Sequence, residues 1–369
     1  MGVSAPETVV ADVGDPGSLA EMASRTKVVL NLCGPYTLHG RPVIKACVEN
    51  GAHYVDLTGE IPFVREMIDE FDARALEAGV KVVQVCGFEA LPPDLSVLLA
   101  AETARERWNE GLADADLRVS VKGPPGLPRP SDLLSGGTMQ SLAAAASADN
   151  AADVADPAAL ITDPALAEAV RQRSPIKVAP RRAGNAVIAP MAPAAFINPA
   201  VIQRTAALVA GDSDGRVEPF RYREGVAMGG SPATLPLRYA AAGMLSGTQA
   251  AVLAAAKARP STRQRVGSTL SRILPSSGFG PSGDRLEEWK WRMSLDARTV
   301  GGRDVRVAID ADGQPGYLTT ARMLGEVGLM LAEPGATPER SGHLTPAVAL
   351  GSGSTERLKH ARVRFSVDG

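Results

Sequence analysis

Residues 27 to 94 decide the fold, because they repeat the order strand, loop, helix three times. The three strands and their loops read Lys27-Val-Val-Leu-Asn-Leu-Cys-Gly-Pro-Tyr36, His53-Tyr-Val-Asp-Leu-Thr-Gly-Glu60 and Val80-Lys-Val-Val-Gln-Val-Cys-Gly-Phe88. About one helix separates successive strands, as a right-handed crossover between parallel strands requires. The carboxyl ends of such strands share one rim, and open α/β sheets bind their ligands there.

Helical patterns fill the gaps between these strands. In the first gap, Pro42 is placed to begin a helix, which Gly51 then ends. In the second gap, apolar residues recur at three- and four-residue steps before Gly79, namely Val64, Met67, Ile68, Phe71 and Ala75. Residues 8–13 read as one more strand, followed by a short helix over residues 18–25. The predicted fold class is therefore α/β, with an incomplete Rossmann-like parallel sheet, because no glycine-rich phosphate loop follows the first strand.

The literal match to the dinucleotide-binding pattern G-x-G-x-x-G lies far from this sheet, at Gly278-Phe-Gly-Pro-Ser-Gly283. A phosphate-binding loop follows a strand and opens a helix. This stretch instead follows Leu274-Pro-Ser-Ser and precedes a strand pattern, and Pro281 lacks the N–H that a phosphate would need. We interpret it as a loop with a chance match.

An alternating pattern begins at residue 116 and predicts a second architecture. Residues 116–122 alternate like a half-buried strand, and residues 288–296 and 304–310 read as a hairpin. They indicate an α+β domain with a mostly antiparallel sheet. Five prolines from Pro175 to Pro199 predict extended, irregular chain. The apolar pattern of residues 317–333 predicts a helix near the C-terminal end of the sequence.

The 369 residues thus divide into three parts. Residues 1–110 are predicted to form a truncated dinucleotide-binding, Rossmann-like domain. Residues 111–330 are predicted to form an α+β domain that binds the substrate and mediates dimerisation, so a homodimer is one possible assembly. Residues 331–369 are predicted to form a C-terminal segment that returns to the first domain.

Composition excludes several classes of protein. A net charge of −2 argues against nucleic-acid binding, which normally shows as a surplus of basic residues. Three cysteines without CxxC spacing argue against a disulfide framework or a zinc site, so we expect no metal and a reducing, cytoplasmic location. No signal-peptide pattern follows Met1.

Residues 239–256 carry no charge and raise the question of a membrane helix. They are mostly Ala and Gly, with Ser246, Thr248 and Gln249 inside, so a buried or interfacial helix is the favoured interpretation. A basic segment follows, with Lys257, Arg259, Arg263, Arg265 and Arg272. It is either a solvated basic face or a surface for anionic lipid, a carrier-protein phosphate or an acidic partner. The second interpretation would make the protein peripheral at the membrane.

Several short strings carry a family resemblance when taken together. They are Leu32-Cys-Gly-Pro-Tyr-Thr-Leu-His-Gly40, Gly51-Ala-His-Tyr-Val-Asp-Leu-Thr-Gly-Glu60, Cys86-Gly-Phe-Glu-Ala-Leu-Pro-Pro-Asp-Leu95, Ser135-Gly-Gly-Thr138, Asp312-Gly-Gln-Pro-Gly-Tyr317 and Leu344-Thr-Pro-Ala347. With them the chain resembles the saccharopine dehydrogenase-like oxidoreductases, particularly the bacterial trans-acting enoyl reductase group. The resemblance spans roughly residues 8 to 367.

Members of that family begin with a strand, a G-x-x-G-x-x-G turn and a helix, which bind the dinucleotide pyrophosphate. That unit and the next strand are missing before the first strand of this chain. Either the start of the gene is mis-set or truncated, or the short form is functional. We favour the first alternative, because a sheet without its first strand would expose an apolar edge.

The resemblance implies an enzyme that transfers hydride from NADP or NAD in its reduced form, an enoyl reductase acting on a lipid-like or polyketide intermediate, free or carrier-bound. The chemistry would be hydride delivery to the β-carbon of a conjugated carbonyl and protonation of the α-carbon. The alternative is a non-catalytic truncated homologue that acts as a lipid-surface or partner-binding protein. A true saccharopine-type enzyme is disfavoured, because no cluster of Arg and Lys is evident that could clamp a dicarboxylate.

The resemblance and the shared rim together suggest site residues. We expect the cofactor to contact three strand-end loops, at Cys33, Gly34, Pro35, Gly59, Glu60, Cys86, Gly87 and Phe88. Catalytic candidates are Tyr36, as a hydrogen-bond donor, and His39, as a proton donor near neutral pH. Asp94 is the substrate-binding candidate.

Each of these residues also has a purely structural interpretation. Gly34-Pro35 can be a tight turn and His39 a helix cap. Asp56 is expected to pair with a loop amide, and Asp94 to be a first-turn carboxylate of its helix. The three cysteines can be small fillers of strands and helices.

Overall fold

The structure is a computed structural model that describes residues 6–125, 154–191, 194–211, 218–256, 261, 265, 280 and 283–368. Its strands are β1 (Val28–Asn31), β2 (His53–Asp56), β3 (Lys81–Val83), β4 (Leu112–Lys122), β5 (Arg181–Ala183), β6 (Ala186–Ala189), β7 (Arg221–Met228), β8 (Lys290–Thr299), β9 (Asp304–Asp312), β10 (Gly342–Leu344) and β11 (Val363–Asp368). They form two sheets.

The helices alternate with the strands in the first third of the chain and thereafter lie over both sheets. They are α1 (Pro16–Ser24), α2 (Tyr36–Glu49), α3 (Ile61–Glu77), α4 (Leu91–Trp108), α5 (Pro164–Arg173), α6 (Ala194–Gly211), α7 (Leu235–Ala256), α8 (Thr320–Ala332), α9 (Pro346–Leu350) and α10 (Ser354–Arg357). A π-helical turn, Pro315–Thr319, leads into α8.

The first sheet has the order β1-β2-β3-β10, and every pair in it is parallel. The predicted strands at residues 28, 53 and 80 are thereby confirmed, as is the helix whose apolar face includes Phe71. Gly51 and Gly79 follow α2 and α3 with φ of 74° and 68°, values in the left-handed region that glycine adopts most easily. The strands are short, and β2, β3 and β10 are mostly buried, because helices cover this part of the sheet, whereas β1 is more exposed.

The second sheet has the order β11-β9-β8-β4-β7-β6-β5. Only the β4–β7 pair is parallel, so the predicted, mostly antiparallel α+β architecture is confirmed. The predicted hairpin is the β8–β9 pair, in which Leu295 faces Val307. One large apolar core joins α4 to the inner face of this sheet, so the two sheets do not pack as separate bodies.

The C-terminal segment enters both sheets. Strand β10 adds to β3 of the first sheet, whereas β11 adds to β9 of the second. The domain boundaries at residues 110 and 330 therefore stay a prediction.

Three sequence predictions of local structure are wrong. Residues 8–13 form no strand, since no described strand lies beside them to share hydrogen bonds, and Val10 is exposed. Helix α2 begins at Tyr36 rather than Pro42, which lies inside it. The proline-rich stretch contains β5 and β6. Pro199 lies inside α6, which begins five residues earlier at Ala194.

The uncharged segment forms most of α7, and a single stripe of the helix packs against β6. Arg238, Ala242, Ser246 and Gln249 form that buried stripe, and Arg238 donates hydrogen bonds to the carbonyls of Asn185, Met228 and Ser231. Leu237 and Met244 on the outer face are 72% and 71% exposed. None of the helices in the described part of the chain is long and apolar enough to cross a bilayer. The Ser135–Thr138 string of the family resemblance, most of the basic segment and most of the Gly278–Gly283 stretch lie outside the described residues.

The early start of α2 has an electrostatic cause in the loop after β2. Glu60, which is buried, accepts hydrogen bonds from the backbone N–H groups of Tyr36 and Thr37 at 3.0 and 2.8 Å, and its carboxylate also contacts the Thr37 hydroxyl. The first N–H groups of a helix have no partner within the helix, and the helix dipole favours a negative charge there. A carboxylate from the neighbouring strand end therefore fixes where α2 begins.

Replacing Glu60 by Ala should lower the free energy of unfolding by about 2 kcal/mol, because two N–H groups at a buried helix start lose their acceptor. Urea unfolding measures the loss, and amide exchange at Tyr36 and Thr37 should quicken. Glu49→Ala is the matched control: it removes an exposed carboxylate of α2 that pairs with Arg74 at 2.8 Å, and should cost no more than about 0.5 kcal/mol. Equal losses for the two variants would contradict the capping role.

Candidate functional site

The carboxyl ends of β1, β2, β3 and β10 meet at one rim, because all four strands run in the same direction. The predicted loops at residues 32–35, 57–60 and 84–88 follow the first three of these strands, and Thr345 follows the fourth. The structure thus brings together the three loops that sequence reasoning assigned to the cofactor.

The buried carboxylate of Asp56 organises this rim. Its Oδ1 accepts from the N–H groups of Thr58 and Val85 at 3.0 and 3.2 Å, and its Oδ2 accepts from the Tyr54 hydroxyl and the Gln84 amide, both at 2.9 Å. Burial raises the pKa of Asp56 to about 6, although the four donors oppose that shift. The prediction that Asp56 pairs with loop amides is confirmed.

The same network reaches the outer two strands. Asn31, at the end of β1, donates to the Tyr54 hydroxyl at 3.0 Å. On the other side, the Gln84 oxygen lies 2.8 Å from Nε2 of His343 in β10, and since that oxygen can only accept, Nε2 carries the proton. Burial lowers the pKa of His343 well below its usual range, so the imidazole is neutral. Hydrogen bonds therefore link the ends of all four strands.

The loops differ in their exposure to solvent. Leu32, Cys33 and Gly34 after β1 are exposed, and the Gly34–Pro35 peptide bond is cis. Cys33 is thus not the buried filler that its sequence context predicted, because it lies beyond the strand end; Cys47 and Cys86 are buried, as expected. This first loop is the part of the rim where a cofactor can contact backbone without displacing a side chain.

The loops after β2 and β3 are covered by other elements. A Cβ on Gly59 would lie 2.7 Å from Cδ1 of Ile197 in α6, and a Cβ on Gly87 would lie 3.1 Å from the Glu89 carboxylate. Phe88 packs edge-on against Trp291 of β8, with ring centroids 4.9 Å apart. Its N–H donates to the Thr320 hydroxyl at 3.2 Å. The rim therefore meets the second sheet at these loops.

The two predicted catalytic residues lie on the first turn of α2. The Tyr36 hydroxyl is buried and donates to the carbonyl of Asn31 at 3.1 Å, and burial raises its pKa far above the usual range. His39 is partly exposed, and its side chain makes no hydrogen bond to a described residue. Tyr36 is thus engaged with the sheet, whereas His39 is partly open to solvent; catalytic roles for both stay predictions.

Glu60, predicted to bind the cofactor, and Asp94, predicted to bind the substrate, both use their carboxylate oxygens in hydrogen bonds within the protein. Glu60 caps α2, so the N-terminal amides of that helix are already occupied by an anion. Asp94 lies in the first turn of α4, as predicted, and accepts from the Thr205 hydroxyl at 2.5 Å and the N–H of Ala347 at 2.8 Å. Burial raises the pKa of Asp94 to about 7. A direct contact of either residue with a ligand stays a prediction.

Sequence reasoning missed a polar cluster where α6 and β7 reach the rim. Asn198, 1% exposed, donates to the carbonyl of Glu89 at 2.6 Å and to Oε2 of Glu224 at 2.7 Å. The Tyr222 hydroxyl also donates to that Oε2, at 2.7 Å. Tyr222 and Glu224 are two residues apart in β7 and therefore lie on the same face of the strand, which the sequence could have indicated. Which face of β7 meets the rim, however, depends on packing between residues far apart in the sequence.

No group of three or more His, Cys, Asp and Glu side chains in the described ranges is arranged to hold a metal ion.

Comparison with known proteins identifies the family. Residues 5–83 match the family model of the saccharopine dehydrogenase NADP binding domain. The chain is 32% identical over 368 residues to a trans-acting enoyl reductase of Mycobacterium ulcerans, covering 97% of this chain and 84% of that protein. It is also 32% identical over 371 residues to a trans-acting enoyl reductase of Mycobacterium tuberculosis, covering 96% of this chain and 83% of the other.

Among solved structures, the apo form of histidine-tagged saccharopine dehydrogenase (L-Glu forming) from Saccharomyces cerevisiae shows a weak likeness. It has a TM-score of 0.45 and 13% sequence identity, over 97% of this chain and 88% of the yeast chain.

Identity of this extent over nearly the whole chain, together with the parallel sheet and its shared rim, confirms the family resemblance, the nicotinamide cofactor and the prediction of an enzyme. The chain belongs to the NAD(P)-dependent, saccharopine dehydrogenase-like oxidoreductases, in the family of the trans-acting enoyl reductases.

Proposed function

We propose that this chain reduces the conjugated double bond of a lipid-like or polyketide enoyl intermediate. The observation that carries the proposal is the 32% identity to trans-acting enoyl reductases across almost the whole chain. The carrier-bound form of the substrate, a homodimer and peripheral contact with a membrane are finer parts of the same proposal.

The bound nicotinamide would supply a hydride, and the protein must hold the substrate, keep out water and manage a proton. The open backbone at Leu32–Gly34 is where the cofactor ring would approach, with His39 one turn along α2. Tyr36 would act by fixing the loop, since its hydroxyl holds the carbonyl of Asn31. Phe88 and Trp291 would supply an apolar wall for the acyl chain where the rim meets the second sheet.

Activity is tested by mixing the protein with NADPH or NADH and an α,β-unsaturated acyl thioester, and following cofactor absorbance. We expect oxidation of the cofactor with the unsaturated thioester and none with its saturated counterpart. A carrier-protein thioester should be reduced faster than the free thioester if the substrate is carrier-bound. Absence of cofactor oxidation with every unsaturated thioester would contradict the proposed reaction.

Cofactor binding can be measured without turnover through Cys33, the exposed cysteine of the three. Saturating NADPH should slow alkylation of Cys33 by iodoacetamide about tenfold or more, because the ring would cover the loop after β1. Mass spectrometry of the labelled peptide gives the rate, and Cys33→Ser supplies the blank. An unchanged rate at a cofactor concentration that quenches protein fluorescence would place the cofactor elsewhere.

A second candidate function, contact with a lipid surface, is favoured by the outer face of α7. Leu237 and Met244 are large, apolar and exposed on one helix. Leu237→Ser with Met244→Ser should reduce binding to anionic vesicles several-fold in sedimentation assays. The matched control is Val300→Ser, at an exposed apolar residue in the β8–β9 turn. Equal binding by all three proteins would remove α7 from the proposal.

A further inference from the structure

We infer that Glu224 is the group that hands a proton to the substrate, from its Oε1 atom, when the double bond is reduced. This inference rests on the proposed function and adds a residue to it. It starts from the cluster of Glu224, Asn198 and Tyr222, which lies where β7 and α6 reach the rim of the first sheet.

Asn198 and Tyr222 hold the Glu224 carboxyl group, and Asn198 also joins it to the rim. Asn198 joins Glu224 to the carbonyl of Glu89, which belongs to the loop after β3. The same loop contains Gly87 and Phe88, the predicted cofactor contacts. Ile197, the residue before Asn198, covers Gly59 in the loop after β2. The Glu224 carboxyl is therefore joined through Asn198 to the loop after β3, and the inference requires the acyl chain of the substrate to enter between that loop and β7, where its α-carbon would contact Oε1.

The two oxygens of this carboxyl group have different roles. Oε2 accepts two hydrogen bonds, from the Tyr222 hydroxyl and the Asn198 amide, each at 2.7 Å. Oε1 is buried and has no hydrogen-bond partner. A buried polar atom without a partner is costly, and such atoms in native proteins call for an explanation. In the protonated carboxyl, the proton sits on Oε1, because two donors already point at Oε2.

The surroundings favour the protonated form near neutral pH. Burial raises the pKa of Glu224 to about 7, while Tyr222 and Asn198 oppose the shift by donating to the charged form. No Lys or Arg in the described part of the chain pairs with Glu224. The nearby ionisable groups are Tyr222, Glu89, whose backbone carbonyl is linked through Asn198, and Asp94 and Asp116. Burial, and then the charge of Glu224, raise the pKa of Tyr222, and the charges of Asp94 and Asp116 act in the same direction. Arg223 points to the other face of β7, towards Asp116.

The proton balance of the step follows from this arrangement. A bound reduced nicotinamide would supply the hydride to the β-carbon of the substrate, and the π electrons of the double bond would move towards the α-carbon and the carbonyl. The bond between Oε1 and its proton then breaks as that proton bonds to the α-carbon. Glu224 is left as a carboxylate, held by Tyr222 and Asn198, and regains a proton from water after the product leaves. Tyr222 and Asn198 are positioning residues.

The test compares Glu224→Gln with the wild type, with Glu288→Gln, at an exposed residue, as the control. Glu224→Gln should lower kcat for an unsaturated thioester about 100-fold or more, the usual scale for loss of a general acid, and change the Kd for NADPH less than twofold. Without substrate, the wild-type spectrum minus the Glu224→Gln spectrum should show an infrared carboxylic-acid band that disappears between pH 5.5 and pH 8.5 (about 1.5 units on either side of neutrality). Asp56 and Asp94, whose pKa values are also raised by burial, are present in both proteins and cancel in this difference.

Tyr222→Phe provides a second test in which the carboxyl group stays in place. Loss of a donor to the charged form should raise the pKa of Glu224, so the alkaline fall in kcat and the infrared transition should both move to higher pH. A Glu224→Gln protein that keeps more than a third of wild-type kcat, or a difference spectrum without the titrating band, would overturn the inference. A wild type that reduces no thioester would instead overturn the proposed function.

Discussion

The rim of the first sheet depends on one buried carboxylate, that of Asp56. Four donors surround it, and through Tyr54 and Gln84 it is connected to the ends of β1 and β10. It also holds Val85, whose φ of 62° is unfavourable for a β-branched residue, through the N–H of that residue. Burial disfavours the negative charge of Asp56, yet each of its two oxygens accepts two hydrogen bonds. The positions of three strand-end loops thus follow from one hydrogen-bonded centre.

Sequence periodicity predicted the strands and helices whose formation depends on neighbouring residues in the sequence. The apolar runs of β1, β2 and β3, the face of α3 and the hairpin of β8 and β9 all follow from two- and four-residue patterns. The failures have non-local causes. Helix α2 starts at Tyr36 because Glu60, 24 residues later, caps it. Residues 8–13 have a strand-like composition, but a strand also needs a neighbour to pair with, and composition cannot supply one.

The same distinction applies to the site. Sequence reasoning found the strand-end loops, because parallel strands must end at one rim. It could not find Glu224, since nothing in Tyr222-Arg-Glu224 says that this strand faces Asn198 across the molecule. Nor could it tell that the oxygens of Glu60 and Asp94 are already used by helix starts. Burial and pairing, rather than residue type, separate a carboxylate that holds the protein together from one that is chemically available.

The C-terminal residues have a consequence for how the chain must assemble. Strand β10 pairs with β3, which precedes it by some 260 residues, and β11 closes the edge of the other sheet soon afterwards. While the chain is being synthesised on the ribosome, β3 therefore has an open side until β10 has emerged. The nucleotide-binding half cannot reach its native state ahead of the rest, so maturation of the two halves is a single late event.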